Sequence, residues 1–493
     1  MSTPPTFQRL KTILLTNAPK RDIELVHRAY HFAKDAHKGQ RRASGEEYIV
    51  HPLATAITLA KMRLDNATVA AGLLHDVSDD TPITINEIEK EFGYDVAQLV
   101  SGVTKLGKVR YRGIDRYVEN LRKMFVAMAQ DIRVIIIKFA DRLHNLKTIQ
   151  YLPSEKQQRI AKDTLEIYAP IANRLGMGDI RDKLEDLSFK ILYPNEYEWL
   201  GHLVSSRFQE KTRYLKSIQR KISHELTQKY HIPILSVHGR TKHLYSLYRK
   251  LLARDRDITK IYDLIALRVV VNTVGDCYTV LGVIHTLWRP LKGRIKDYIA
   301  QPKPNGYQSL HTTVFCDDGE IVEFQIRTQT MHDEAEYGIT AHWHYDERGA
   351  VAFDRKLSWA KELSEWHHRI QDSHQLVETV KMDVFRNRIF VFTPQGDAID
   401  LPEDSTPVDF AYHIHTDLGN QCVAAKVNDR LCSLDTALHN GDVVEILVNK
   451  QKRGPDPVWL EFVHTATARN KIKAHLRKKT FDRIRRILTT PAM

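Results

Sequence analysis

Apolar residues recur at helical spacing through the first 195 residues of the chain. The segment DIELVHRAYHFAKDAH places Leu25, Ala29, Phe32 and Ala33 on one side of a helix. The same spacing recurs in HPLATAITLAKM, NATVAAGLLHDV and YVENLRKMFVAMAQ. The most apolar stretch, DIRVIIIKFADRLHNLKTI, indicates a buried central helix, and its β-branched run leaves a strand as the alternative. We therefore expect an all-α domain over residues 1–195.

The pattern changes at residue 196, where helical segments begin to alternate with strand-like runs. Strands are predicted in IPILSVHGR, YDLIALRVVVN, HTTVFC and IVEFQIRT, so residues 196–345 are expected to form an α/β domain. Residues 346–384 are polar and helical, as in a connector. Short strands separated by Gly, Pro and Asp turns predict a compact β-rich domain over 385–448, and a basic helical tail follows at 449–493.

The composition favours a cytosolic globular protein. Of the 493 residues, 42% are hydrophobic, which is ordinary for a globular chain. No apolar run approaches the roughly 18 residues that a membrane span needs, and the N-terminus MSTPPTFQRLK lacks the apolar segment of a secretion signal. The cysteines lie far apart without a C-x-x-C pair, which indicates reduced thiols: Cys277, Cys316, Cys422 and Cys432.

The net charge of +12 is concentrated in two regions. Residues 469–486 hold nine Lys or Arg and one acidic residue, and residues 238–303 hold thirteen Lys or Arg and five Asp. Each region therefore predicts a local anion-binding surface, and a solvated helix face is the alternative.

A metal site is predicted in the helical domain. A cation that activates water needs imidazoles and carboxylates that converge and leave one coordination position open. Four candidate ligands lie within or at the ends of predicted helices: His51, His75, Asp76 and Asp141. Nitrogen and oxygen ligands without sulfur suit Mn, Fe, Mg or Zn. A set of buried, hydrogen-bonded polar groups is the alternative, and it would be costly to collect in one core.

Two further carboxylates, Asp79 and Asp80, follow one turn beyond the His75–Asp76 pair. In that place they could orient an attacking water or accept its proton. The alternative is an ordinary helix end, although carboxylates there are unfavourable to the helix dipole.

A second site is predicted on the strands and helices of the α/β domain. Asp263 begins a buried strand, where a carboxylate is costly unless it binds a cation. In IVEFQIRT, the polar side chains of Glu323, Gln325 and Arg327 face away from the apolar ones. The segment HGRTKHLYSLYRK adds a polar row suited to a polyphosphate: Lys242, Ser246, Arg249 and Lys250.

The segment GRIKDYIAQPKPNGYQSLHTT joins these elements and completes the second candidate site. Arg294, Lys296 and Lys303 supply positive charge, Asn305 begins a tight turn, and Tyr307 is an aromatic residue placed to stack on a base. Carboxylates on strands, surrounding cations and a stacking ring predict Mg-dependent transfer between nucleotides. A basic RNA-binding surface is the alternative, but it does not explain the carboxylates.

These segments closely resemble the Rel/SpoT family of (p)ppGpp synthetase/hydrolases from about residue 20 to the end. The resemblance depends on LLHDVSDDT, KFADRLHNLKT and APIANRLGM in the first domain, and on GRTKHLYSLYRK, EFQIRT and HDEAEYGITAHWHY in the second. FAYHIHTDLGNQCVAAKVN resembles the TGS domain, a ubiquitin-like β-grasp module. The implied fold class is multidomain: an all-α HD-type hydrolase domain, an α/β nucleotidyltransferase-like synthetase domain, a β-grasp TGS domain and a short helical tail.

For the HD domain, the resemblance implies Mn²⁺ bound by the four ligands named above. Asp79 and Asp80 would help a metal-activated water to attack the 3′-pyrophosphate of (p)ppGpp, which gives GDP or GTP and pyrophosphate. Arg42, Asn145 and Thr148 match family positions around the guanosine nucleotide.

For the synthetase domain, the resemblance implies that Asp263 holds Mg²⁺ and that Glu323 deprotonates the 3′-hydroxyl of GDP or GTP. That oxygen would attack the β-phosphate of ATP and expel AMP. Arg240, Lys242 and Lys250 match ATP-binding positions, and Tyr307 matches a guanine-stacking tyrosine. The other substrate-binding residues expected are Ser246, Arg294, Lys296, Lys303, Asn305, His311, Gln325 and Arg327.

The chain departs from the family pattern in three respects. Position 79 is Asp where Glu is common, which shortens the reach of the carboxylate by one methylene. Ala43 stands where a Lys often assists the nucleotide. The chain ends at residue 493, before the zinc-binding and ACT-type domains of long members, which is expected of a truncated or a naturally short form.

Three hypotheses about function therefore stand at this stage. The first is a bifunctional enzyme, the second a synthetase whose hydrolase domain is weak, and the third a ribosome- or tRNA-binding regulator. The expected partners are ATP, GDP or GTP, and (p)ppGpp, with ribosome or tRNA contact through the TGS domain and the basic tail, and no membrane. The expected location is cytoplasmic.

Overall fold

The computed structural model describes residues 5–18, 22–107, 123–241, 243–252, 254–257, 265–303, 305–342, 388–449, 451 and 454–489. The chain forms two compact units, residues 1–371 and 372–493, and each is described by itself. The predicted connector, residues 346–384, lies outside the described residues. In the part of the chain that is described, no helix is both long enough and apolar enough to cross a membrane.

The first part of unit one is helical, as the periodicity predicts. Its helices are α1 (Phe7–Asn17), α2 (Glu24–Ala36), α3 (Val50–Lys61), α4 (Asn66–Leu74), α5 (Val77–Asp80), α6 (Ile85–Phe92), α7 (Tyr94–Gly107), α8 (Ile132–Lys147), α9 (Ser154–Asp163), α10 (Ala169–Arg174), α11 (Gly178–Leu192) and α12 (Pro194–His224). A π-helical turn, Thr164–Tyr168, joins α9 to α10.

Helix α8 is the buried centre of this helical part. It packs against α3, α4, α7 and α11, and Ile135, Ile136 and Ile137 are fully buried. The strand alternative for this run is wrong. The Asp131 side chain accepts a hydrogen bond from the backbone N–H of Arg133 and so caps the helix. Burial on all sides offsets the low helix propensity of the β-branched residues.

The second part of unit one is built on a mixed six-stranded sheet. Its strands are β1 (Ile234–Thr241), β2 (Ile265–Val271), β3 (Arg289–Pro290), β4 (Lys296–Asp297), β5 (Leu310–Phe315) and β6 (Ile321–Thr328). The strand order is β1-β2-β6-β5-β3, and β4 pairs with β5. Among the described strands of this sheet, β2 and β6 pair in parallel and the other pairs are antiparallel. Helices α13 (Leu244–Leu252), α14 (Val274–Leu287) and α15 (Gln329–Tyr337) accompany the sheet, together with α12.

The two faces of this sheet differ in polarity. On one face Phe324 and Ile326 of β6 belong to an apolar core with Ile222 of α12 and Ile284 of α14. The opposite face holds the polar residues of β6, as the alternation predicts. Burying one face against helices therefore leaves the other face to present polar groups at fixed spacing.

Glycines allow the helical part and the sheet part to meet with backbone against backbone. Gly338, directly after α15, has φ +60°, and a Cβ at this position would lie 2.4 Å from the carbonyl oxygen of Leu175. The N–H of Ile339 donates to the same oxygen at 3.0 Å. Gly176 has φ +74° and approaches the Cα of Gly338. We call these contacts the glycine joint.

Unit two combines short strands with helices. The strands are β7 (Arg388–Phe392), β8 (Ala398–Pro402), β9 (Cys422–Val427), β10 (Arg430–Cys432) and β11 (Val444–Val448), and the helices are α16 (Pro407–Ile414), α17 (Thr416–Gln421) and α18 (Ala466–Thr489). Strands β10, β9 and β11 form one antiparallel sheet, and β7 and β8 form a hairpin. A bridge between Phe392 and Val443 links the two.

The basic tail begins as part of this unit's core. Asp409 of α16 accepts hydrogen bonds from the backbone N–H groups of His464 and Thr465, at 3.0 and 2.7 Å. Ile472 of α18 is fully buried in a core that also contains Tyr412. The carboxylate of Asp409 therefore fixes the start of α18 against α16, although the sequence predicts a separate tail.

The glycine joint predicts a large stability cost for a small substitution. Gly338→Ala should lower the free energy of unfolding by about 3 kcal/mol or more, because the methyl group meets a rigid backbone carbonyl as well as a strained φ. Gly319→Ala is the matched control: its φ is +77°, with no atom within 4 Å of the added Cβ, so it should cost only about 1 kcal/mol. Urea unfolding of both variants measures the difference, and equal losses would contradict the close packing.

Candidate functional site

The predicted metal ligands converge at the ends and middle of four helices. His51 lies in the first turn of α3, and Asp141 lies in α8. His75 directly follows α4, and Asp76 directly precedes α5. Because both His75 and Asp76 lie in the break between α4 and α5, their side chains can face one point.

The converging atoms are close enough to share one cation. The Nε2 atom of His51 lies 3.2 Å from Asp141 Oδ1, 3.4 Å from Asp76 Oδ2 and 3.2 Å from the Nε2 atom of His75. His75 Nε2 lies 3.2 Å from Asp76 Oδ1. His51, His75 and Asp141 are at most 3% exposed. One ligand atom from each of these three lies within 4.8 Å of the others.

Hydrogen bonds orient both imidazoles toward this point. His75 Nδ1 lies 2.9 Å from the carbonyl oxygen of Gly72, so Nδ1 donates and Nε2 keeps its lone pair for the site. His51 Nδ1 lies 2.8 Å from His144 Nδ1. Burial, together with the nearby His51 and Arg42, lowers the pKa of His144 to about 3. His144 is therefore neutral, and its Nδ1 can accept a hydrogen bond from the Nδ1–H of His51.

The Asp141 carboxylate is held in its ionised form. Burial opposes ionisation, but Lys138 and His51 outweigh it, so the pKa of Asp141 lies well below its usual range. Lys138 Nζ lies 2.6 Å from Asp141 Oδ2. The Asn145 amide donates to Oδ1. The site thus contains a charged carboxylate that is fixed before any cation binds.

The structure brings Arg42 and Asn145 to the edge of this cluster. Arg42 Nη2 donates to Asn145 Oδ1 at 3.0 Å, and its Nη1 lies 2.9 Å from His144 Nδ1. Thr148 caps the C-terminal end of α8, where its hydroxyl donates to the carbonyl oxygen of His144. A guanidinium and two polar side chains therefore lie beside the candidate ligands.

Tyr48 links the second carboxylate pair to the cluster. Its hydroxyl oxygen lies 3.0 Å from Asp76 Oδ2 and 2.5 Å from Asp80 Oδ2. The Tyr48 ring stacks on that of His37 at 4.5 Å. Burial, followed by the charges of Asp76 and Asp80, raises the pKa of Tyr48, so the phenol keeps its proton. Asp79 and Asp80 lie in α5 and are exposed.

The second candidate site is a chain of polar contacts on the polar face of the sheet. Glu323 Oε1 lies 3.1 Å from His311 Nδ1 and accepts a hydrogen bond from Gln325 Nε2 at 3.0 Å. Arg240 of β1 donates to Gln325 Oε1 at 3.2 Å. Burial lowers the pKa of His311. These contacts connect β1, β5 and β6 through one carboxylate.

Tyr307 is joined to the same network. Its hydroxyl lies 2.8 Å from His311 Nε2, and the Lys303 ammonium lies 5.3 Å from the centre of its ring. Asn305 Oδ1 accepts the N–H of Tyr307, and Asn305 Nδ2 donates to the carbonyl oxygen of Asn173 in α10. The turn before Tyr307 therefore touches the helical part.

The remaining predicted residues lie on other elements of the sheet part, or outside the described residues. Lys296 pairs with His311 through β4 and β5. Arg294 lies in the turn just before β4, and Ser246 and Lys250 lie on α13. Lys242 and Asp263 lie outside the described residues.

The side chain of Arg327 contacts helix α15. Its side chain is fully buried, with Nη2 at 3.1 Å from Glu336 Oε1 and 2.7 Å from His332 Nδ1, both on α15. Burial, and then the charge of Arg268, lowers the pKa of Arg327 to about 10. Its contacts among the described residues are thus those of a link between β6 and α15.

Three residues of the first site are not predicted from the sequence: Tyr48, Lys138 and His144. Lys138 and His144 lie three residues before and after Asp141, which is one turn away on the same helix face. Tyr48 lies three residues before His51. That spacing from a predicted ligand is the signal that could have identified them.

Three family models match successive parts of the chain. A model of the HD domain matches residues 29–178, one described as a region found in RelA / SpoT proteins matches residues 239–350, and one of the TGS domain matches residues 389–448. They confirm the predicted fold class. The HD match and the convergent ligands together indicate a site for a divalent metal.

Curated relatives match nearly the whole chain. It is 45% identical to a GTP pyrophosphokinase of Streptomyces coelicolor, over 97% of this chain and 59% of the relative. It is 47% identical to a guanosine-3′,5′-bis(diphosphate) 3′-pyrophosphohydrolase of Aquifex aeolicus, over 95% of this chain and 67% of the relative. With the bifunctional (p)ppGpp synthase/hydrolase SpoT of Escherichia coli, identity is 45% over 97% of this chain and 68% of the relative. The chain thus spans about 59% of the length of its Streptomyces relative, and it belongs to the RelA/SpoT family.

Proposed function

We propose that this chain both synthesises and hydrolyses (p)ppGpp, at two separate sites of unit one. The observation that carries the proposal is the presence of two chemically different polar clusters. One collects imidazoles and carboxylates around a point suited to a divalent cation. The other places Glu323 among His311, Gln325 and Arg240 on a sheet. The relatives' names support both activities.

At the first site the reaction is hydrolysis of the 3′-pyrophosphate. His51, His75, Asp76 and Asp141 would hold the divalent cation, which we propose is Mn²⁺. When bound, it would supply a polarised water and neutralise phosphate charge. Asp80, held by Tyr48, accepts the proton of the attacking water, with Asp79 beside it. The water oxygen bonds to the phosphorus attached to the 3′-oxygen, the bond between that phosphorus and the 3′-oxygen breaks, the 3′-oxygen takes up a proton, and pyrophosphate leaves.

At the second site the reaction is pyrophosphate transfer. Glu323 takes the proton of the 3′-hydroxyl of GDP or GTP, and the 3′-oxygen bonds to the β-phosphorus of ATP. The bond from that phosphorus to the α-phosphate oxygen breaks, and AMP leaves. Arg240 and Lys250 bind the ATP phosphates, and Tyr307 stacks on guanine. Mg²⁺ is assigned to Asp263 on the family resemblance alone.

Unit two is assigned a role in RNA contact. The TGS match and the positive charge of residues 469–486 support contact with tRNA or the ribosome. The four cysteines are free thiols, and the nucleotide substrates are those of the cytosol, so we assign the enzyme to the cytoplasm.

The structure also motivates a second candidate function, a synthetase with slow hydrolysis. Asp80 reaches the hydroxyl of Tyr48, but position 79 has the shorter carboxylate and position 43 is Ala. Both departures fall at the hydrolase site, so they would weaken hydrolysis and leave synthesis intact.

Paired turnover assays test the proposal. The purified chain should convert ATP and GDP to ppGpp and AMP with Mg²⁺, and should convert ppGpp to GDP and pyrophosphate with Mn²⁺. Glu323→Gln should lower synthesis on the order of 10³-fold, because the general base is lost, and should leave hydrolysis unchanged. The double variant His75→Ala/Asp76→Ala should abolish hydrolysis and retain synthesis.

Each variant is the control for the other, because both sites lie in the same compact unit. Loss of both activities in Glu323→Gln, or in His75→Ala/Asp76→Ala, would contradict two independent sites. Synthesis without any hydrolysis by the unaltered chain would support the second candidate function instead.

Metal affinity tests the ligand cluster without any nucleotide. His75→Ala should abolish tight Mn²⁺ binding, and His144→Ala should weaken it by about 10- to 100-fold, because His144 orients His51. Electron paramagnetic resonance of free Mn²⁺ measures the binding. The exposed His31 supplies the matched control, His31→Ala. Unchanged affinity in His144→Ala would refute its orienting role.

The carboxylate at position 79 gives a graded test of hydrolysis. Asp79→Glu restores the missing methylene and should raise the hydrolytic kcat several-fold, on the order of 1 kcal/mol in activation free energy. Synthesis should not change. A hydrolytic kcat equal to or below that of the unaltered chain would show that the shorter carboxylate is not what limits hydrolysis.

A further inference from the structure

His243 lies in the connection between β1 and α13, and its side chain contacts a helix of the helical part. His243 Nδ1 lies 2.9 Å from Asp186 Oδ2, and Nε2 lies 3.2 Å from Asp182 Oδ2. Both carboxylates belong to α11 and are spaced one helical turn apart. One imidazole thus bridges two acidic side chains across two structural elements.

Asp186 makes a second contact with the same connection. Its Oδ1 accepts the backbone N–H of Tyr245 at 2.9 Å, at the start of α13. The first N–H groups of a helix have no partner within the helix. The Asp186 carboxylate of α11 therefore caps the N-terminus of α13, a role that an N-cap residue of the same helix usually has.

The connection held in this way lies between groups to which ATP binding is assigned. Arg240 precedes it on β1, and Ser246 and Lys250 follow it on α13. A small rotation of the start of α13 would move Ser246 and Lys250 relative to Arg240. Arg240 is tied to Gln325 on the sheet, so the imidazole bridge, together with the apolar packing of α13 on α11 and α12, sets how α13 faces the sheet.

We propose that His243 is a positioning residue for ATP in pyrophosphate transfer, holding α13 against α11 through Asp182 and Asp186. The inference depends on the proposed synthetase function and adds a residue to which the sequence analysis gives no role. His243 acts through α13 and Asp186 and does not itself touch the substrates.

The charge of His243 makes the bridge sensitive to pH. Burial lowers its pKa, but Asp186 and Asp182 outweigh burial and the opposing charge of Arg240, so the pKa is raised above its ordinary value. On the same helix, burial raises the pKa of Glu185 to about 7. A raised pKa means that the charged bridge is complete below the ordinary histidine pKa of about 6.5. It is lost as pH rises through the folded-state value.

The test is the KM for ATP, measured in the synthesis assay from pH 6 to pH 9. In the unaltered chain it should rise with pH as His243 loses its proton. His243→Gln should raise the KM for ATP at low pH on the order of tenfold and remove this rise. The KM for GDP and the rate of ppGpp hydrolysis should not change, which also shows that the variant is folded.

Asp186→Asn provides a second variant that keeps an oxygen for the N–H of Tyr245 and removes the charge. Its KM for ATP should begin to rise at lower pH than in the unaltered chain. The double variant with His243→Gln should be no worse than His243→Gln alone, because both act through one contact. His224→Ala, an exposed histidine at the end of α12, is the matched control.

The outcomes separate this inference from the proposed function. No synthesis by the unaltered chain would overturn the proposed function. Synthesis with an unchanged KM for ATP in His243→Gln, or additive effects in the double variant, would overturn the role of His243 alone. A loss of kcat with unchanged KM for ATP would overturn it as well.

Discussion

Burial of one charged carboxylate, that of Asp141, constrains the arrangement of the helical part. An isolated carboxylate in a helix as apolar as α8 would cost several kcal/mol. Lys138, one turn earlier, and the Asn145 amide compensate part of this cost. The two imidazoles nearby make the point between them attractive for a cation. The positions of α3 and of the end of α4 follow, because the Nε2 atoms of His51 and His75 lie 3.2 and 3.9 Å from an Asp141 oxygen.

The two clusters of unit one favour ligands of opposite charge. The first concentrates carboxylates and neutral imidazoles, so it favours a metal cation before a phosphate. The second places Glu323 beside His311 and Gln325, with Arg240 bound to Gln325 and Lys303 beside the ring of Tyr307. These cations suit a polyphosphate.

Local patterns predict the secondary structure well, but not the tertiary partners. Strand β6 coincides with the alternating segment IVEFQIRT, and the buried helix α8 coincides with the preferred interpretation of its apolar run. Alternation along the strand predicts that Arg327 lies on the polar face. It does not predict which residues the side chain contacts, and those are on α15. His144 and Tyr48 act through hydrogen bonds to residues distant in sequence. A bond between His144 and His51 spans 93 positions, and no local period encodes it.

The glycine joint also bears on how these two parts can evolve. Its contacts are made by main-chain atoms of Leu175, Gly176 and Gly338, so no side chain there can be exchanged to tune the fit. A hybrid that combines the helical part of one relative with the sheet part of another would have to keep glycine on both sides of the junction. We therefore expect a change at either glycine to require a change at the other, while the surfaces around them can vary.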